Sequence, residues 1–295
     1  VTAFDSPAST RLDVNGITLN VIDAGGRDDP AVLLLHGFPD RALMWRAQVE
    51  ALVGAGYRVI APDLRGFGDS DRPVGVEAYD LSLIIGDVLG LLDLLEVGRV
   101  RVGAHDWGAL VGWVLTALAP DRVERFAAFS VGHPRAFAGA GFDQKQLSWY
   151  MLWWQFPDVA ETVMPQDNWR WYREWAYEGA NRAEDAELDR QLNDLERSGA
   201  LTSGLNWYRA NVPPLSFADE DRHQELPTIA CPVLGVWGDR EMALTERQMT
   251  DSPKFISGPW RYERLTGVGH WIPAHAPQAT SDLLIDFFAH TQGDE

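Results

Sequence analysis

Val100-Arg-Val-Gly-Ala-His-Asp-Trp-Gly108 decides how this chain is read. An apolar run of strand composition, Val100–Gly103, passes into a helical pattern over Ala109–Ala119, with Ala104 two residues before Asp106 and Gly108 two residues after it. Small residues at those two positions are what a sharp strand-to-helix turn requires. Such a turn lifts its central side chain above the sheet, at a helix N-terminus. Here that side chain is a carboxylate. It needs no base to ionise it at neutral pH, and the helix N-terminus favours the anion, so it is equipped to displace a leaving group at saturated carbon. In isolation, Asp106 reads equally well as an ordinary helix N-cap.

The surrounding pattern places this turn in a parallel sheet. Asn15-Gly16 joins two alternating segments, Arg11–Val14 and Ile17–Ile22, into a hairpin at the sheet edge, because that dipeptide tolerates positive φ. Continuous apolar runs follow at Ala31–Leu35, Arg58–Ala61, Val100–Gly103 and Val123–Val131, separated by helical patterns at Met44–Val53, Leu81–Leu95 and Ala109–Ala119. Strands that are apolar throughout are covered on both faces. From Gly132 to Gln224 no strand-like run occurs; Pro232–Trp237 and Arg261–Leu265 then restore strands, and Ala279–Ala289 supplies a last helix. The expected fold class is therefore α/β, a mostly parallel sheet covered by helices on both faces. Residues 1–131 and 225–295 would form the core and 132–224 an inserted helical cap. The cap region holds Trp149, Trp153, Trp154, Trp169, Trp171, Trp175 and Trp207, seven of the 13 Trp. Its acidic stretch Ala183–Arg197 reads as a solvated amphipathic helix.

Two further segments sit where strands end. Leu33-Leu-Leu-His36-Gly37-Phe38-Pro39-Asp40 follows the third strand, a position from which the Phe38 amide can join the Trp107 amide as an oxyanion hole. His36 itself reads as a structural loop residue, and Asp63-Leu-Arg-Gly-Phe-Gly-Asp-Ser70 as a structural loop. Late in the chain, Val233-Leu-Gly-Val-Trp-Gly-Asp-Arg-Glu241 puts acids just beyond one strand, and Thr266-Gly-Val-Gly-His270-Trp271 puts a histidine beyond the next. The order is nucleophile, acid, base. An imidazole held by a carboxylate activates water, which an alkyl ester on Asp106 would need for turnover. Both Asp239 and Glu241 could supply that carboxylate. His133 and His275 lack such a glycine-rich setting. No pair of histidines has the spacing of a zinc protease helix, so neither metal nor other cofactor is expected.

Composition narrows the partners. The 295 residues carry a net charge of -18, which would repel nucleic acid and anionic membrane alike and leaves small neutral molecules as the better ligands. Lys145 and Lys254 are the only lysines, a bias that says nothing about function. The single Cys231, in a setting that reads as buried strand, forbids an intrachain disulfide and suits a reducing compartment. The stretch Val1–Asn20 shows no apolar signal segment, and the longest apolar run, Gly108–Ala119, is too short to span a bilayer. A cytoplasmic protein is the expectation. Oligomeric state is not legible.

Taken together, His36-Gly-Phe-Pro39, Gly103-Ala-His-Asp-Trp-Gly108, Gly269-His-Trp271, Trp149-Tyr-Met-Leu-Trp-Trp-Gln155 and Asn206-Trp-Tyr-Arg209 resemble the epoxide hydrolase branch of the α/β-hydrolase fold family over nearly the whole chain. The resemblance implies that Asp106 attacks an epoxide carbon while two cap tyrosines, here Tyr150 and Tyr208, hydrogen-bond the epoxide oxygen. Composition alone would make either a packing residue. It further implies that His270, oriented by Glu241, activates water against the ester, releasing a vicinal diol. The family usually carries Asp where Glu241 stands. Phe38, Trp107, Trp149, Trp154 and Trp207 are the expected substrate contacts, and so aromatic a set points to an apolar epoxide. A haloalkane dehalogenase is similar in fold, nucleophile and Trp107, but often has an Asn where Phe38 offers no side-chain donor. A non-catalytic small-ligand binding protein of the same fold is the remaining alternative.

Overall fold

Asn15 and Gly16 take φ of 49° and 81°, and the turn they make joins β1 (Ser9–Val14) to β2 (Ile17–Ala24) as the anticipated antiparallel hairpin. In the computed structural model, which describes residues 8–176, 186–215 and 225–289, this hairpin edges an eight-stranded sheet. The remaining strands are β3 (Ala31–Leu35), β4 (Arg58–Pro62), β5 (Val100–His105), β6 (Val123–Phe129), β7 (Val233–Arg240) and β8 (Trp260–Gly269), in the order β1-β2-β4-β3-β5-β6-β7-β8. Apart from the β1–β2 and β2–β4 pairings, every pairing is parallel.

Continuous apolar strands feed two cores at once because successive side chains point to opposite faces. Leu33, Leu35, Val102, Ala104, Phe126 and Ala128 join the core beneath α2 (Leu81–Leu94) and α3 (Trp107–Leu118). Val32, Leu34, Ala127, Phe129, Leu234 and Val236 join the other, with α1 (Arg46–Gly54) and the helix Pro277–Ala289. Asp80 starts α2 by accepting the Ser82 amide at 2.9 Å. Cys231 departs from expectation: it lies half-buried in a bend just ahead of β7. Pro232 beside it has no N–H to give the ladder, so pairing begins at Val233.

Between β6 and residue 215 the described chain contains no strand. It forms α4 (Pro134–Ala138), α5 (Phe142–Leu147), α6 (Trp149–Trp153), α7 (Val159–Val163), α8 (Gln166–Ala176), α9 (Ala186–Leu195) and α10 (Ala200–Asn211). The first of these still packs on the helix Glu246–Thr250. The acidic stretch is corrected here. Ala183–Asp185 lie outside the described residues, and α9, which follows, is not a solvated helix: it buries Leu188, Gln191, Leu192 and Leu195 and turns charged side chains toward Asp40, Arg41 and Arg46. An amphipathic pattern does not distinguish a face that meets water from one that meets ions of the opposite sign. Among the described residues no helix is long and apolar enough to cross a membrane.

Candidate active site

Asp106 joins β5 to α3 with φ 53° and ψ −122°, a conformation unfavourable for a non-glycine residue. Its neighbours explain the small residues around it. A Cβ on Gly108 would lie 2.4 Å from the Leu35 carbonyl oxygen, and one on Gly37 would lie 2.2 Å from Asp106 Oδ1. The carboxylate makes no capping hydrogen bond within α3, so the N-cap reading lacks its defining contact. Instead Oδ1 accepts the Phe38 amide at 2.7 Å, and the Trp107 amide also hydrogen-bonds the carboxylate. The two amides expected to form an oxyanion hole thus both reach the Asp106 carboxylate.

The other oxygen, Oδ2, lies 3.4 Å from His270 Nε2. On the far side of that ring, Nδ1 lies 3.0 and 2.8 Å from the two oxygens of Glu241, whose side chain is fully buried. Asp239 goes elsewhere: it accepts the Gly267 amide at 2.6 Å and pairs with Arg264 at 3.3 Å. Glu241 therefore holds the place beside His270. Burial alone would push the Asp106 carboxyl up, but the hydrogen bond and charge of His270 and the Trp107 amide together hold it below the usual range. Burial would likewise pull His270 down, yet Glu241 and Asp106 outweigh it and raise the imidazole to about 10. The resting arrangement is an imidazolium between two carboxylates.

Sequence reasoning missed what anchors this histidine. The His270 carbonyl accepts His105 Nε2 at 2.9 Å and Ser130 Oγ at 2.7 Å. Burial keeps His105 neutral, with a pKa of about 3. Its place beside Asp106 was the one available signal. His36 is structural as read, its Nε2 accepting the Leu64 amide at 2.9 Å. So is Asp63, which accepts the Ala42 and Asp69 amides at 2.8 and 2.9 Å.

Helices α6 and α10 bring Tyr150 and Tyr208 together over this group, both buried, with ring centroids 6.1 Å apart. Tyr208 stands edge-on to Trp107 at 4.9 Å and is hydrogen-bonded to it, with the indole N–H as the available donor. Burial first, then the Asp106 charge, raises both phenols well above the ordinary tyrosine value, so both stay neutral. Phe38 lies 5.2 Å from Trp154 and 5.8 Å from Tyr208. Gly204, one turn before Tyr208, makes room for it: a Cβ there would lie 2.8 Å from the Phe38 ring. Trp207 packs on Trp107 at 5.6 Å while its Nε1 donates to the Arg65 carbonyl at 3.0 Å. The structure does not bring Trp149 to this set; it is 43% exposed, against Trp171 and Trp175 at 5.5 and 6.4 Å. Tyr172 of α8 was not anticipated. It is buried 6.5 Å from Phe38, close enough to Asp40 and Asp106 for their charges to reach it.

The family model described as alpha/beta hydrolase fold matches residues 30–277. Epoxide hydrolase A of Mycobacterium tuberculosis is 33% identical, with 96% of this chain and 97% of that protein covered. Epoxide hydrolase 3 of Xenopus tropicalis is 27% identical over 94% of this chain and 76% of its own length. The crystal structure of epoxide hydrolase A from Mycobacterium thermoresistibile superposes with a TM-score of 0.82 at 32% identity, covering 96% of this chain and 98% of that one. The chain belongs to the alpha/beta hydrolase fold family, and within it is similar over nearly its full length to epoxide hydrolases.

Proposed function

We propose that this protein is an epoxide hydrolase that opens an apolar epoxide, aromatic or alkyl, to a vicinal diol through an ester on Asp106. One observation carries the reading. Two buried tyrosines, on helices inserted between β6 and β7, lie close enough to the Asp106 carboxylate to feel its charge, and that carboxylate is backed by His270 and Glu241. Residues 132–224 act as a lid over a core formed by 1–131 and 225–295.

In the first step Asp106 Oδ2 attacks an epoxide carbon, the C–O bond breaks, and Tyr150 and Tyr208 hydrogen-bond the departing oxygen, one of them donating its proton. Ring strain supplies the driving force. Esterification removes the charge of Asp106, and with it part of what holds the His270 proton. That proton moves to the tyrosinate, so both groups become neutral without solvent supplying a net charge. Neutral His270, still oriented by Glu241, then takes a proton from water as it attacks the ester carbonyl. Charge returns to Oδ1, where the Phe38 and Trp107 amides receive it; as this intermediate collapses, the bond from the carbonyl carbon to Oδ2 breaks, the diol leaves with that oxygen and takes the proton of the added hydroxyl, and the Asp106 carboxylate and protonated His270 are restored. Removing one such amide donor costs about 3 kcal/mol. Phe38, Trp107, Trp154 and Trp207 provide the apolar walls and their support.

Haloalkane chemistry is less well supported. Phe38 has no side-chain donor for a halide, and the Trp107 indole is engaged with Tyr208. Intact-protein mass spectrometry of His270→Gln after exposure to styrene oxide tests the proposal. A stable adduct of one substrate mass, absent from Asp106→Asn, is the expected result. An adduct from a haloalkane alone would move the assignment to a dehalogenase, and none from either would favour a binding protein.

A further inference from the structure

Asp40 closes the loop that carries Phe38. Its amide donates to the Gly37 carbonyl at 2.9 Å, so residues 37–40 form one tight turn in which the Phe38 amide is aimed at Asp106. The Asp40 carboxylate is fully buried, and it accepts from Arg190 and from Gln191 Nε2 at 2.7 Å, both on α9. Around this centre, Arg41 pairs with Asp194 at 2.9 Å, Arg46 with Glu187 at 3.0 Å and Arg197 with Asp69 at 2.6 Å. The outer pairs are partly exposed, and pairs of that kind contribute little. A carboxylate without solvent is different, because removing its partner strands a buried charge. Arg190 is itself only 16% exposed and also meets Glu187 and Asp194, so it is held where it reaches Asp40.

Resting on the epoxide hydrolase reading above, we infer that Arg190 and Gln191 are positioning residues for ester hydrolysis: α9, when docked, grips Asp40, and Asp40 sets the Phe38 amide at the oxyanion position. The two chemical steps respond differently to that amide. During ester formation the negative charge leaves Asp106, so a donor to Oδ1 stabilises the starting state and gives no advantage in the transition state. During hydrolysis charge returns to Oδ1, and the same donor lowers the barrier. A misplaced amide therefore slows hydrolysis alone. A lid that merely loosened around the substrate would displace Tyr150 and Tyr208 and slow ester formation.

Rapid-quench intact mass spectrometry with styrene oxide separates the steps. Arg190→Gln is expected to hydrolyse its ester about 10- to 100-fold more slowly than the unmodified enzyme, the range for a donor displaced by a fraction of an ångström up to its loss. Formation stays within about twofold, so the ester accumulates, and Arg190→Lys recovers part of the rate. Unchanged hydrolysis in Arg190→Gln overturns the inference, as does equal slowing of both steps. If Arg190→Gln loses its native circular dichroism, Gln191→Met, which removes one donor at similar volume, takes its place; unchanged hydrolysis there overturns the inference. Diol production by the unmodified protein with no ester on Arg190→Gln or His270→Gln would instead remove the covalent reading on which the inference rests.

Discussion

The two halves of the site are built by different forces. Asp106, Glu241 and His270 stand at or just beyond the ends of β5, β7 and β8, where backbone ladders fix the chain and buried hydrogen bonds hold each side chain. Tyr150, Trp154, Tyr172 and Tyr208 come from the insert, held over the core by aromatic edges on Phe38 and Trp107 and by ions such as Arg190 on Asp40. The core half is polar and rigidly paired. The insert half is apolar, with its hydroxyls as the few polar handles. The contrast teaches that charge in this protein stands at the strand ends, while the aromatic surface and the two proposed proton donors come from the inserted helices.

The sharpest way to break this division is Asp106→Asn, for which loss of diol formation on the order of 10⁴-fold or more is expected in steady-state assays. Retained activity, with the Asn confirmed by mass, would show that the sheet half does not carry the nucleophile. Replacing Tyr150 or Tyr208 by Phe should slow ester formation by about 10²- to 10³-fold and hydrolysis much less, as single-turnover kinetics would resolve. Equal slowing of both steps would deny the insert its role as proton donor. Stability should divide along the same line: Leu234→Ala, within the buried sheet, is expected to cost about 2–5 kcal/mol by urea unfolding. Trp149→Ala, on the exposed side of the insert, should cost less than that, and a larger loss there would place the insert in the same cooperative core.

A further prediction concerns pH. His270 is held at about 10 against an ordinary value near 6.5, so its protonated form favours the folded state. That contribution is complete below about pH 6.5 and disappears as pH rises through about 10. The melting temperature should fall over this window, and His270→Gln should flatten the fall. An unchanged slope in the variant would mean that the imidazolium is not the group being lost.

Local patterns in the sequence were reliable where backbone chemistry alone sets the outcome. The Asn15-Gly16 hairpin, the apolar strands, and the elbow with Ala104 and Gly108 follow from φ preferences, period-2 burial and steric room, all readable within about ten residues. Cys231 shows the limit even there, since one proline shifted the start of a strand. Trp149 shows it for the insert: a tryptophan next to Tyr150 in sequence lies on another side of its helix, because successive helical residues point about 100° apart.

Pairing across long stretches of chain was decided by tertiary structure alone. Asp239 and Glu241 are two residues apart and chemically similar, but β7 shifts register against β8 between Gly238 and Arg240, sending one to Gly267 and the other to His270. Arg190 finds Asp40 across 150 positions, and no periodicity in either segment announces it. The alternation of strands and helices, the strained turn and the residue types of the site were legible along the chain, because those depend on near neighbours in sequence. Which acid lies beside the histidine, which aromatics gather around Phe38 and Trp107, and what grips the Phe38 loop depended on packing, because only the folded chain brings those groups within reach of one another.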